Sequence, residues 1–275
     1  MEELVKYNND LNRVAFRGFS AENYDLLMAI ISRMRDKDDQ VITLSYARIR
    51  ELIKYPKKKS NVQLTKDLDN MWDTLKRCEC TLPRATGNSH MVLFPTYTTD
   101  SSTASLKIRI NSDFAYLIQD FKGYTEFELK RFISIKSKYG KVLYRLLRQY
   151  RNGSEHVYRI SIEDLKRLFD VPESYTTKEI TRKVVKPAVE ECKADFKDLT
   201  VSTYKLRKQG CPIGGYAFSW TPMGQVPGQM TIDDYARSQK KTTKKKGHST
   251  EKNSFQQFEQ NSYDYDELEE QIMEK

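Results

Sequence analysis

A chain of 275 residues with 38% hydrophobic side chains is long enough for two domains of ordinary size plus a tail, and its apolar content suffices for real cores. No window approaches the roughly 18 consecutive apolar residues that span a bilayer, and residues 1–12 are polar with no signal-peptide core, so a soluble cytoplasmic protein with no membrane partner is expected. The formal net charge of +9 is unevenly placed: residues 237–252 hold seven basic residues against Glu251, residues 253–275 hold seven acidic ones against Lys275, and the excess therefore belongs to residues 1–236, where a polyanion is the natural partner.

In chain order, residues 20–36 read as an amphipathic helix capped by Ser20, with Tyr24, Leu27, Met28, Ile31 and Met34 at helical spacing. A short strand at 41–44 precedes a helix capped by Ser45, whose Ile49, Leu52 and Ile53 face inward. Tyr55-Pro56 stops that helix, because the residue before proline avoids helical geometry. The basic loop Lys57-Lys58-Lys59-Ser60 then leads into a third helix at 62–76, with Leu64, Leu68, Met71, Trp72 and Leu75 on its apolar side. Strand-like runs follow at 79–84, 91–97 and 105–110, separated by polar turns at Gly87-Asn88 and Asp100-Ser101-Ser102. Helix, strand, helix, helix and a β-ribbon is the order of a winged helix.

The second half repeats that order. Helix 137–150, strand 158–160, helix 161–169 capped by Ser161, and helix 176–195 lead to a ribbon at 199–207 and 216–221. At a constant offset of 116, Ser45, Ile49, Leu52, Leu64, Thr65, Lys66 and Leu68 fall on Ser161, Leu165, Leu168, Ile180, Thr181, Arg182 and Val184. The expected fold is α+β: two tandem winged-helix domains related by pseudo-twofold symmetry, at 1–125 and 126–226, with a disordered, charged C-terminal tail at 227–275.

No catalytic site is expected. Seventeen tyrosines are present, but the three histidines, His90, His156 and His248, are far apart, so metal-assisted nicking by a tyrosine has no histidine pair to hold its ion. Gly140-Lys141 lacks the upstream glycine and the following Ser or Thr of a phosphate loop. Cys78, Cys80, Cys192 and Cys211 form no CxxC pair, so neither metal nor cofactor is anticipated.

Basic residues concentrate where winged helices would present them. Between 130 and 151 there are eight basic residues and no acidic one, and if Val142, Leu143, Leu146, Leu147 and Tyr150 are buried, Lys138, Lys141, Arg145 and Arg148 share the other side, suited to phosphates. The helix from Thr176 follows a helix and a turn containing Pro172, as a recognition helix does, and its exposed side should show Thr177, Lys178, Thr181, Arg182 and Lys186. Arg and Lys suit guanine edges, and Thr suits phosphate or a thymine methyl. Pro187 should kink or restart the helix, which confines reading to the turns before it. The matching residues of the first half are Lys57, Lys58, Lys59, Ser60, Asn61, Gln63, Lys66 and Asn70, while Lys205, Arg207 and Lys208 would form a basic wing. In the tail, aromatic and aliphatic residues set among acids from Phe255 to Ile272 have the pattern of a segment that folds on a partner.

Over roughly residues 4–222 the chain resembles the Initiator Replication proteins of theta-replicating, iteron-containing plasmids. The resemblance rests on Leu4-Val5-Lys6-Tyr7-Asn8-Asn9-Asp10-Leu11-Asn12, on Ser137-Lys138-Tyr139 leading to Leu143-Tyr144-Arg145-Leu146-Leu147, on Lys186-Pro187-Ala188-Val189-Glu190-Glu191, and on Gly215-Tyr216-Ala217-Phe218-Ser219-Trp220. It implies two winged-helix domains and a non-enzymatic initiator that binds double-stranded origin repeats (iterons). It also implies a homodimer in exchange with monomer that represses its own promoter, and recruitment of a host initiator ATPase and the replicative helicase. A winged-helix transcriptional regulator with no replication role is the rival reading.

Overall fold

The computed structural model describes residues 3–34, 40–76, 80–84, 87–119, 123–150, 156–206 and 213–221. The expected tail, and Arg207 and Lys208 of the expected wing, lie outside them. Strand β1 (Leu4–Asn8) alternates Val5 and Tyr7 into the core and leads through a 3-10 turn to helix α1 (Ala21–Met34), where Ser20 Oγ accepts from Asn23 N at 3.1 Å. The first winged helix continues with β2 (Ile42–Ser45), α2 (Tyr46–Leu52) and α3 (Asn61–Leu75), then the hairpin β3 (Cys80–Arg84) with β4 (Gly87–Met91), and finally β5 (Thr96–Asp100) and β6 (Ser105–Arg109). Its sheet has the order β2-β6-β5, all antiparallel.

Two of the expected boundaries move. Gly87-Asn88 opens a strand instead of forming a turn, and the run 91–97 is broken between β4 and β5. Pro95 has no N–H to give a ladder, and the Leu93 carbonyl is taken by Asn111 N at 2.9 Å, so that stretch leaves the sheet and buries Leu93 and Phe94.

Short helix α4 (Tyr116–Gln119), strand β7 (Tyr124–Glu128) and helix α5 (Leu129–Ser134) join the halves; β7 pairs with β1, Val5 opposite Phe127, and the boundary expected at 125 falls inside it. Helix α6 (Lys138–Gln149), β8 (Val157–Ser161), α7 (Ile162–Leu168), α8 (Thr177–Ile180), a π turn (Thr181–Val185), α9 (Lys186–Cys192), β9 (Thr200–Lys205) and β10 (Ile213–Ser219) form the second winged helix. Its sheet order, β8-β10-β9, matches β2-β6-β5 in topology. Gly215 is required where β10 crosses β8, since a Cβ there would lie 2.1 Å from the Ile160 carbonyl oxygen.

The offset of 116 is a true structural repeat. Ser45 and Ser161 both cap helices, accepting from Arg48 N and Asp164 N, and so do Ser60 and Thr176 ahead of α3 and α8. Lys54 and Asp170 share φ +50°, and Tyr55 N to Arg50 O at 2.9 Å is matched by Val171 N to Lys166 O at 3.0 Å. Lys59 N to Pro56 O and Tyr175 N to Pro172 O are both 3.0 Å. Leu64 and Ile180, and Leu68 and Val184, are fully buried, holding each third helix on its own core.

Candidate nucleic-acid interface

In the second helix-turn-helix the rod from 177 to 192 is fixed at its start by a capping box: Thr176 Oγ1 accepts from Glu179 N at 3.3 Å, and Glu179 Oε2 accepts from Thr176 N at 3.1 Å. The Glu179 carboxylate also accepts from Lys183 Nζ at 2.9 Å, and Lys183 first, with Thr176, holds its pKa down at about 2. As expected, the α-helix restarts at Pro187: α9 begins at Lys186 with the proline in its first turn, and a π turn keeps the rod continuous up to it. The π turn just before it shifts the pairing, so that Lys186 N reaches Thr181 O, and the backbone stays right-handed helical at Ile180, Thr181, Val185 and Lys186. Inserting one residue into the turn relieves the clash a proline ring otherwise makes with the carbonyl four residues back.

This rod turns Ile180, Val184 and Val185 into the core and leaves Lys178, Arg182, Lys183 and Lys186 exposed. Lys183 was missed by sequence reasoning, although it follows Glu179 at the i,i+4 spacing of an ion pair. Thr181, expected to meet DNA, is half-buried: its hydroxyl donates to Thr177 O at 2.9 Å and lies 2.7 Å from the Tyr216 hydroxyl. It positions the helix. Thr65 does the same one repeat earlier, 2.9 Å from the Tyr46 hydroxyl.

In the first unit, Lys57, Lys58, Lys66 and Asn70 are exposed as expected. Lys59, Asn61 and Gln63 are drawn into a local network. Lys59 Nζ lies 3.3 Å from Asp67 and 3.5 Å from Glu22, Gln63 Nε2 donates to Asp67 Oδ1 at 2.9 Å, and Asn61 Oδ1 accepts from Arg50 Nε at 3.1 Å. Burial of the Asp67 carboxyl favours its neutral form, but hydrogen bonds from Tyr55, Gln63 and Lys59 outweigh that and keep it below its ordinary value. Asn61 stays exposed and keeps its amide N–H groups for another partner. The strands contribute outward cations as well: Lys107 and Arg109 on β6, Arg159 on β8 and Lys205 on β9.

The expectation for α6 is corrected. Lys141 and Arg145 are buried, at 0% and 3% exposure, and the α6 cations face protein. Lys141 Nζ donates to Asp25 Oδ1 at 2.6 Å and Phe132 O at 2.9 Å. Arg145 donates to the Tyr7 hydroxyl at 3.2 Å and Leu11 O at 3.0 Å, with its guanidinium 5.1 Å from the Phe16 ring centroid. Arg148 donates twice to Glu126 O, and Lys138 Nζ is 3.0 Å from Asp170 Oδ2. The cause is packing on both sides: α9 covers one side of α6 with Ala188, Val189 and Cys192, while α1 and the N-terminal segment cover the other. A helix enclosed in this way must partner every charge it carries.

The residues of the most distinctive sequence motifs are likewise structural. Asn12 is buried and joins Tyr7 (2.9 Å), Thr125 (2.8 Å) and Gln149 (3.1 Å), and Glu191 accepts from Ser137 N and Oγ, the latter at 2.6 Å. Among the described residues, no group of three or more His, Cys, Asp or Glu side chains could hold a metal ion, and no helix is long and apolar enough to cross a membrane.

A family model described as "Initiator Replication protein, WH1" matches residues 4–148, and one described as "Initiator Rep protein, WH2" matches residues 161–220. A protein of Bifidobacterium longum (strain NCC 2705) described as a probable replication protein rep is 33% identical over 193 residues, 69% of this chain and 64% of that protein. The chain thus aligns with somewhat less than two thirds of that relative. The crystal structure of Pi initiator protein in complex with iteron DNA superposes with a TM-score of 0.59 at 14% identity, covering 82% of this chain and 99% of the other. At that identity the likeness concerns the fold alone.

Proposed function

This chain belongs to the Initiator Replication protein family, and from that premise we propose that it initiates plasmid replication by binding repeated origin sequences in double-stranded DNA through both helix-turn-helix units. The observation that carries this reading is the pair of capped recognition helices, 61–75 and 177–192, built on matching backbones and bearing exposed Lys66, Lys178, Arg182 and Lys186. Lys178, Arg182 and Lys186 meet base edges and flanking phosphates from the second unit, and Lys58, Asn61 and Lys66 do so from the first. Lys59, Gln63 and Thr181 position those helices, and Arg207 and Lys208 add a basic wing. The protein works without catalysis of its own. It recruits the host initiator ATPase and replicative helicase, and as a dimer in exchange with monomer it represses its own promoter.

Footprinting on the plasmid that carries the gene tests this reading. Protection of direct repeats of about 20 base pairs, two turns of helix, is expected because two recognition helices side by side need that span. Binding should weaken steeply with salt, with a log-log slope of about 0.9 per phosphate contacted. Protection of a lone palindrome, with normal replication once the gene is deleted, would make the protein a transcriptional regulator instead.

A further inference from the structure

Val62 is 61% exposed, more than any other large hydrophobic side chain among the described residues. A single exposed valine is ordinary on a protein surface, so its position must carry the argument. It sits in the first turn of α3, one residue beyond Asn61 and directly after the capped turn of the first helix-turn-helix. Neither burial nor helix stability accounts for it there, because a β-branched residue is a weaker helix former than the straight-chain polar residues such a site accepts. Lys66 lies one turn further on the same face, also exposed. The later turns of the helix expose Asn70 beside two carboxylates, Asp69, which accepts from the Thr99 hydroxyl, and Asp73, which lies 2.7 Å from Lys76. The first two turns expose no carboxylate, and there the outward side chains are Asn61, Val62 and Lys66.

The repeat sharpens the point. At the offset of 116, Val62 and Lys66 correspond to Lys178 and Arg182, so one backbone presents an apolar group where its twin presents an ammonium. We infer that Val62 is a specificity-determining residue that contacts thymine 5-methyl groups in the major groove, the first unit thus reading thymine by methyl contact while the second reads purine acceptors with Lys178 and Arg182. This inference rests on the DNA-binding reading above. A valine locked at χ1 gives up little conformational freedom on contact, which suits a shape-based reader.

Deoxyuridine supplies the test, because it deletes only the 5-methyl group and leaves every hydrogen-bonding edge of the base pair. The full chain first selects a duplex from randomised DNA, and each thymine of that duplex is then replaced in turn. For the wild type, one or two positions should weaken binding about fourfold, the value of one buried methyl group. Val62→Ala should bind the parent duplex more weakly, melt at or slightly above the wild-type temperature since the side chain is exposed and alanine is the better helix former, and lose its sensitivity at those positions. Val62→Thr, which keeps the β-branch and one methyl, should retain part of it. If no thymine replacement matters to the wild type, or if Val62→Ala stays as sensitive as the wild type, the inference is wrong while DNA binding stands. A chain that selects no duplex at all would overturn the DNA-binding reading and this inference with it.

Discussion

Lys141→Ala separates a surface cation from a buried one. A lysine on phosphate would, when removed, weaken binding to specific and random DNA alike and leave stability untouched. In the structure Lys141 is fully buried, its ammonium 2.6 Å from Asp25 Oδ1 and 2.9 Å from the Phe132 carbonyl, linking α6 to α1 and α5. Truncation leaves the Asp25 carboxylate enclosed without its counter-charge, and breaking a buried pair from one side costs about 3–5 kcal/mol. For a folded unit of this size that corresponds to a fall in Tm of roughly 6–20 °C. The deficit should depend on pH with a definite sign. Burial lifts the Asp25 pKa from 3.8 to about 6 even with Lys141 in place to lower it. The folded state therefore binds the proton more tightly, a contribution to stability that is complete below pH 4 and lost as pH rises through about 6. Without Lys141 the pKa climbs further, so the variant should be nearest the wild type at mildly acid pH and furthest from it at pH 8. Thermal melts across that range, with DNA binding measured well below Tm, form the assay, and Asp25→Leu/Lys141→Met should restore most of the stability. A Lys141→Ala protein that melts like the wild type but has lost affinity for every duplex would refute the burial argument.

Other expectations are briefer. Arg182→Ala should cost roughly 1–3 kcal/mol on the selected duplex and little on random DNA; equal weakening on both, in titrations at one salt concentration, would move this residue to the phosphates. Thr181→Val should destabilise by about 0.5–1.5 kcal/mol through the lost bonds to Thr177 and Tyr216, while sequence preference in a competition assay stays unchanged. Glu179, with its pKa held at about 2, should stabilise the start of the rod above pH 4.5 and release it as pH falls through 2, so the stability difference between wild type and Glu179→Gln should vanish at the acid end of a melt series.

The local signals of the chain were legible without coordinates. Ser45 and Ser161 announce helix starts because a short side-chain oxygen before an apolar periodic run satisfies orphan N–H groups, and Ser60 and Thr176 cap α3 and α8 in the same way. The offset of 116 between the halves, and with it the pair of winged helices, follows from the same local code. The strand pair β1 and β7 was not legible, since each is five residues long and its partner lies about 120 residues away. Nor could the sequence tell which cations are outside. A 3.6-residue period identifies the most apolar side of a helix, but it does not reveal that α6 is covered on two sides, where Lys141 and Arg145 meet Asp25, Tyr7 and Leu11 through contacts more than 100 residues apart. Charge is a property of the residue, whereas solvation is a property of what packs against it. Composition by itself therefore determined that this protein carries excess positive charge in its folded part, and only the tertiary structure decided that α6 spends its cations on the interior while Lys66, Lys178, Arg182 and Lys186 keep theirs at the surface.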